Sequence, residues 1–256
     1  MKVLIAVASC HSLRHYEKSL RDTWIQNIPS EVDFRFFIGN PNTNDFEKDE
    51  IFLDVDDGYE GCSAKTIEQS KWVLEHGYDF VYKTDLDTLV VPKNLLSSDF
   101  WMHDYTGGKN GEVSSGGSGS PGTGIFASGG SGYWLSKKAL SVVAELEHPN
   151  PPRADEDVVV AQALKKHGIE LHADSRYKWE PRSRFDKDTI SFHLTSTLGY
   201  NTTIQTAAGA QRQPYGPMLM YKAYENGPQG LSLYDKPLML VNVGKTRPLR
   251  RYRYAE

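Results

Sequence analysis

Asp85 and Asp87 stand one residue apart where an apolar run ends, in the stretch Tyr82-Lys83-Thr84-Asp85-Leu86-Asp87-Thr88. In an extended segment, residues i and i+2 project to the same side, so the two carboxylates can converge on one cation. Hard divalent ions such as Mg²⁺ and Mn²⁺ prefer oxygen donors, and commonly reach a protein through one or two carboxylates plus substrate phosphates. An Asp-x-Asp behind a buried strand therefore suits a metal–diphosphate clamp. A second group of acids, Asp155-Glu156-Asp157, precedes the apolar run Val158 to Leu164. The helix dipole favours acids at a helix start and alone accounts for them. A transferase acting on a hydroxyl, however, needs a base near the acceptor oxygen and something to neutralise a leaving diphosphate. One acid pair for metal and one separate acid for the proton meets both needs. His193, in Ser191-Phe192-His193-Leu194, is either a further metal ligand or a half-buried strand histidine.

The elements that must carry these residues are legible from periodicity and punctuation. Lys2 to Ala8 is apolar and reads as a first strand, followed by a polar break and a helix expected over Tyr16 to Gln26. Val32 to Ile38 alternates and turns at Gly39-Asn40-Pro41-Asn42. Glu50 to Val55 reads as a short third strand. Ser63 to His76 has helical spacing with Gly77 as its stop. Phe80 to Lys83 is then the strand that delivers Asp85 and Asp87, and ligands of open α/β sheets bind in the crevice beyond such carboxyl ends. Thr106 to Gly124 is Gly/Ser-rich and reads as a flexible loop, either an active-site lid or a plain insertion. Ser136 is placed to cap a helix carrying Ala139, Leu140, Val142 and Val143. Gly129 and Gly130 let backbone approach a ligand closely. Ile169 to His172 is expected to be another strand.

The 256 residues are 39% hydrophobic and 24% charged, enough for a sizeable core. The net charge of −4 excludes a protein that is basic throughout. The charge is uneven: residues 245–256 carry Lys245, Arg247, Arg250, Arg251 and Arg253 against Glu256 alone, which makes this tail +4 and the remainder −8. A basic tail holding Tyr252 and Tyr254 either contacts phosphates or an acidic surface, or simply solubilises a terminus. Two cysteines are too few for a disulfide framework, and no stretch is long enough to span a membrane. These features predict a cytoplasmic protein. Asn201-Thr202-Thr203 matches a glycosylation acceptor, which matters only in a secretory pathway.

The order of short motifs resembles the β-1,3-galactosyltransferase and Fringe-like group of inverting glycosyltransferases. Arg21-Asp22-Thr23-Trp24 is similar to the group's Arg-x-Thr-Trp, and Phe36-Phe37-Ile38-Gly39 to its second-strand pattern. Asp56-Asp57-Gly58-Tyr59-Glu60-Gly61, then Ala64-Lys65-Thr66 and Trp72, resemble its D-x-Y, K-T and W positions. Lys83 to Thr88 stands at its metal motif. Ser128 to Ser136 resembles Gly-Gly-x-Gly-Tyr-x-Leu-Ser, and Glu156-Asp157-Val158 its Glu-Asp-Val. The resemblance covers roughly residues 1–195.

The resemblance implies an α/β protein of GT-A type, with a Rossmann-like mixed central sheet flanked by helices, a catalytic region over 1–195 and an irregular extension over 196–256. It implies Mn²⁺ (or Mg²⁺) and a UDP-sugar donor. Asp87 would bind the metal. Asp85 would contact the metal, the ribose or the donor sugar, and His193 would be a further ligand. Asp157 would be the catalytic base, Gly129 and Gly130 would shape the donor-sugar pocket, and Arg21 and Lys65 would lie near the nucleotide. Many relatives have three consecutive acids where this chain reads Asp-Leu-Asp, and Asp-x-Asp needs only the outer two. Eukaryotic members have a membrane anchor and disulfides, so a bacterial or viral member is expected. The acceptor is a hydroxyl, of a glycan or of a hydroxymethylated base in phage-type DNA. The latter must be extruded from the duplex to be reached. The reading from a different class is a non-catalytic nucleotide-sugar-binding module.

Overall fold

The computed structural model describes residues 1–40, 46–110, 124–153, 155–180, 183–194, 203–206, 209–212, 220–221 and 223–225. The strands in chain order are β1 (Val3–Ala8), β2 (Asp33–Gly39), β3 (Glu50–Leu53), β4 (Phe80–Asp85), β5 (Thr88–Val90), β6 (Tyr105–Gly107), β7 (Lys109–Asn110), β8 (Phe126–Ala127), β9 (Tyr133–Ser136), β10 (His172–Ala173), β11 (Tyr177–Lys178), β12 (Ser191–His193), β13 (Thr203–Thr206) and β14 (Gly209–Arg212). The α-helices are α1 (Glu17–Arg21), α2 (Cys62–Glu75), α3 (Pro92–Leu96), α4 (Lys137–Ala144) and α5 (Glu156–Lys166).

The centre is a mixed seven-stranded sheet of order β10-β6-β9-β4-β1-β2-β3. β4, β1, β2 and β3 run parallel. β9 is antiparallel to both β4 and β6. The alternation of β1 explains why it is buried on both faces. Val3, Ile5 and Val7 pack with Leu20, Trp24, Phe36 and Trp134 on one side. Leu4 and Ala6 pack with Ile67, Val73, Leu140 and Leu164 of α2, α4 and α5 on the other. Helices thus cover the sheet and leave the carboxyl ends of β1, β2 and β4 facing the loops.

Most expected elements form near their expected bounds. The cap on α4 is present: the Ala139 N–H donates to Ser136 Oγ at 3.2 Å. Three expectations change. The helix expected over Tyr16 to Gln26 is broken into α1 and a 3₁₀ turn, Trp24–Asn27. Thr23 Oγ1 bonds back to the Ser19 carbonyl at 2.6 Å, a local competitor of the helical ladder, while Trp24 is drawn into the core. The strand expected over Ile169 to His172 shrinks to β10, because the Ile169 N–H is tied to the Leu164 carbonyl in the turn that ends α5. The Gly/Ser loop expected from Thr106 begins later, since Tyr105–Gly107 and Lys109–Asn110 are strands. Its residues 111–123, Asn201 and Thr202 of the acceptor pattern, and the basic tail at 245–256 lie outside the described residues.

Candidate active site

Asp85 is the last residue of β4, and Asp87 lies in the two-residue turn into β5. β5 pairs antiparallel with β12 so that His193 stands opposite Thr88. The Leu194 N–H then donates to the Asp87 carbonyl at 3.0 Å. This register brings His193 Nε2 to 3.1 Å from Asp87 Oδ2. Burial pulls the imidazole's pKa down, but the Asp87 carboxylate more than offsets it, and the net shift is upward.

Lys83 was not singled out from sequence, yet it organises the crevice. It lies on β4 two residues before Asp85, and its side chain is buried. Its Nζ donates to Asp85 Oδ1 at 2.8 Å and to Glu156 Oε1 at 2.6 Å. Burial disfavours the ammonium, but the two carboxylates dominate and hold it protonated. Burial pushes the Glu156 carboxyl up to about 7 against the pull of Lys83. The acids at the start of α5 are therefore more than dipole partners: Glu156 turns inward to Lys83.

Asp157 takes a different environment. Its Oδ2 accepts the Gly129 N–H at 3.1 Å and its Oδ1 the Val158 N–H at 2.9 Å. Burial raises its pKa although both N–H groups and Lys83 oppose the rise. A carboxylate so placed is a stronger base than a solvated one.

The segment Ser128–Gly132 closes over these groups because β9 pairs Tyr133 with Lys83. The Ser131 carbonyl accepts from Tyr82 Oη at 2.7 Å and from Ser191 Oγ at 2.5 Å, and the Gly130 carbonyl accepts from Thr88 Oγ1. A Cβ on Gly129 would stand 2.5 Å from Glu156 Oε1, and one on Gly130 would stand 2.4 Å from the His193 ring. The glycines are needed for close approach to the acids and the histidine.

Lys65 lies beside the crevice, at the ends of β1 and β2, with its ammonium engaged internally. It donates to the Ser9 carbonyl at 2.7 Å and to Asp57 Oδ1 at 2.9 Å. Asp57 also accepts the Gly39 N–H at 2.8 Å and the His11 N–H at 2.7 Å. It thereby ties the loops after β1 and β2 to α2. Sequence reading left Asp57 within a motif without a role; nothing local to it reveals these partners. Arg21 is engaged too, with bonds of 2.7–2.9 Å to Asp49 and one of 3.0 Å to Glu17, and its guanidinium lies over the Phe36 ring. The structure thus brings together Asp85, Asp87, Asp157, His193, Gly129 and Gly130. Lys65 and Arg21 brace the loops next to them. The Cys62 thiol is pushed up to about 11, first by burial and then by Glu156, which makes it a poor nucleophile.

The donor set fits a divalent cation at Asp87 and His193. Metal bonds of about 2.1 Å place neighbouring ligands of an octahedral ion about 3 Å apart, close to the observed 3.1 Å. Asp85 accepts from Lys83 Nζ through its Oδ1. Among the described residues, the three-residue cluster of possible metal ligands is Asp99, His103 and His172, away from this crevice.

No known family profile matches the chain. Among solved structures it is similar to the glycosyltransferase GlyE of Streptococcus pneumoniae TIGR4, at 13% sequence identity and a TM-score of 0.43. The match covers 70% of this chain and 47% of that one, so the chain spans about half the length of that protein. Among the described residues, no helix is long and apolar enough to cross a membrane.

Proposed function

We propose that the chain is a metal-dependent glycosyltransferase that moves a hexose from a UDP-sugar to an acceptor hydroxyl with inversion. One observation carries the reading: a single crevice holds two acidic functions in different electrostatic states. Asp87 faces an imidazole, and Asp157 is a base with a raised pKa beside a glycine-lined space.

In this mechanism Asp87 and His193 hold Mn²⁺ or Mg²⁺, which, when bound, offsets the charge that develops on a departing diphosphate. Lys83 fixes the rotamer of Asp85, which then contacts the ribose or the donor sugar. Gly129 and Gly130 leave the sugar room against the backbone. Asp157 receives the acceptor hydroxyl's proton at a carboxylate oxygen as that oxygen attacks. Lys65, Asp57 and Arg21 serve the nucleotide indirectly, by pinning the loops after β1 and β2. The acceptor is the hydroxyl of a glycan.

The test is UDP release from a panel of UDP-sugars with Mn²⁺, alone, with glycan acceptors, and with hydroxymethylcytosine-containing DNA. Release stimulated by a glycan supports the reading as stated. Release stimulated by the DNA, with a mass gain of one hexose on the base, keeps the transferase and replaces the acceptor. No release from any donor sinks the transferase and leaves a sugar-nucleotide-binding module.

A further inference from the structure

We propose that Asp99, His103 and His172 form a binding site for a transition-metal ion of the Zn²⁺ type, separate from the acidic crevice. One potential ligand atom from each lies within 4.8 Å of the others. Asp99 and His103 flank the 3₁₀ turn Phe100–Met102, with His103 Nε2 at 3.8 Å from Asp99 Oδ2. His172 arrives on β10, whose register sets it opposite Thr106. The two imidazoles stack face to face, with centroids 3.6 Å apart and planes 6° from parallel. All three residues are partly exposed, which leaves an entry path.

Topology separates this site from the crevice. β6 is antiparallel to β9, which is antiparallel to β4, so β6 runs in the same sense as β4. The crevice lies beyond the carboxyl end of β4. His103 precedes β6 at the amino side, and His172, opposite Thr106, lies on the edge strand β10, with β6 and β9 between it and β4. The chemistry differs as well. Two imidazoles and one carboxylate suit a borderline ion such as Zn²⁺, whereas Mn²⁺ and Mg²⁺ prefer oxygen donors. Three protein ligands leave a fourth position for water.

Bonds of about 2.0–2.1 Å set ligand separations of roughly 3.4 Å in a tetrahedral site. Binding therefore draws the three groups together and splays the two rings by side-chain rotation. Arg176, 3.7 Å from Asp99 Oδ1, is the competing cation, but its guanidinium is already held by Asp174 at 2.6–3.1 Å. A bound ion would pin a two-residue edge strand to the start of β6. It would also close the chain between residues 103 and 172, which carries Gly129, Gly130 and Asp157. The proposal stands independently of the transferase reading.

The test is calorimetric titration of the full chain with Zn²⁺ alone, on the wild type, on His103→Gln and His172→Gln, and on His193→Asn, with circular dichroism to establish folding. Beside any ion held at Asp87 and His193, the wild type should take up one Zn²⁺ equivalent that His193→Asn retains. Each of the other two folded variants should bind it more than about tenfold more weakly, the lower end of what losing even an outer partner of a metal ligand costs. Co²⁺ in place of Zn²⁺ should give a visible absorption band in the wild type that both variants lose. Zn²⁺ uptake unchanged in His103→Gln and His172→Gln, or lost only in His193→Asn, would overturn the proposal.

Discussion

The Asp87 carboxylate and the His193 imidazole, 106 residues apart in the chain, meet at 3.1 Å. The antiparallel pairing of β5 with β12 places them there. If this pair holds the catalytic cation, Asp87→Ala or His193→Ala should lower Mn²⁺ affinity and transfer by at least about 100-fold, the scale seen when metal shells are disturbed. Metal titration by quenching of tryptophan fluorescence checks it. Unchanged Mn²⁺ affinity in both variants would refute the assignment.

Asp157 is expected to act on the proton rather than on the donor. Asp157→Asn is isosteric and keeps one of the two acceptor oxygens that receive the Gly129 and Val158 N–H groups, so the fold and UDP binding should be retained at a small cost in stability. Turnover should fall by about 10²–10⁴, the range that general bases supply. A variant with near-normal turnover would move the base elsewhere.

Lys83 is predicted to be essential for stability as well as for the site. Lys83→Met leaves Glu156 buried without its cation, and breaking a buried pair in this way costs about 3–5 kcal/mol. Lys83→Met combined with Glu156→Gln should recover much of that loss. Urea melts of the single and double variants measure the difference. Equal losses in both would show that the pair is not coupled.

Gly130→Ala should fail for a steric reason: its Cβ would stand 2.4 Å from the His193 ring. Overpacking of this kind costs about 1–3 kcal/mol, and the displaced imidazole should weaken Mn²⁺ binding as well. A melting temperature and metal affinity equal to wild type would contradict the observed packing.

Glu17 supplies a pH test away from the metal ligands. Burial pushes its carboxyl up to about 7 from an ordinary 4.5; the Ser9 hydrogen bond opposes the shift and Glu50 adds to it. The folded state thus binds this proton more tightly than the unfolded one. The stability it contributes is fully present below about pH 4.5 and is lost as pH rises through about 7. Glu156 acts in the same sense. Denaturation midpoints between those pH values should fall with rising pH in the wild type, and fall less in Glu17→Gln. Identical slopes would remove Glu17 as a contributor.

Sequence by itself determined what depends on near neighbours. A continuous apolar run marked β1, alternation marked β2, helical spacing marked α2, Ser136 marked the start of α4, and the two acid groups fell at a strand end and a helix start. Each signal lies within a few residues, where backbone geometry makes spacing informative. The tertiary structure alone decided the partners. Lys83 meets Glu156 across 73 residues and Lys65 is tied to Ser9 across 56. Both lysines are buried and engaged inside the protein, which their types alone would not indicate. Thr23 ended α1 early because the core claimed Trp24. The physical reason is common to all of these. A charge or a large ring settles where the register of distant strands leaves a partner or a space, and that register belongs to the whole sheet.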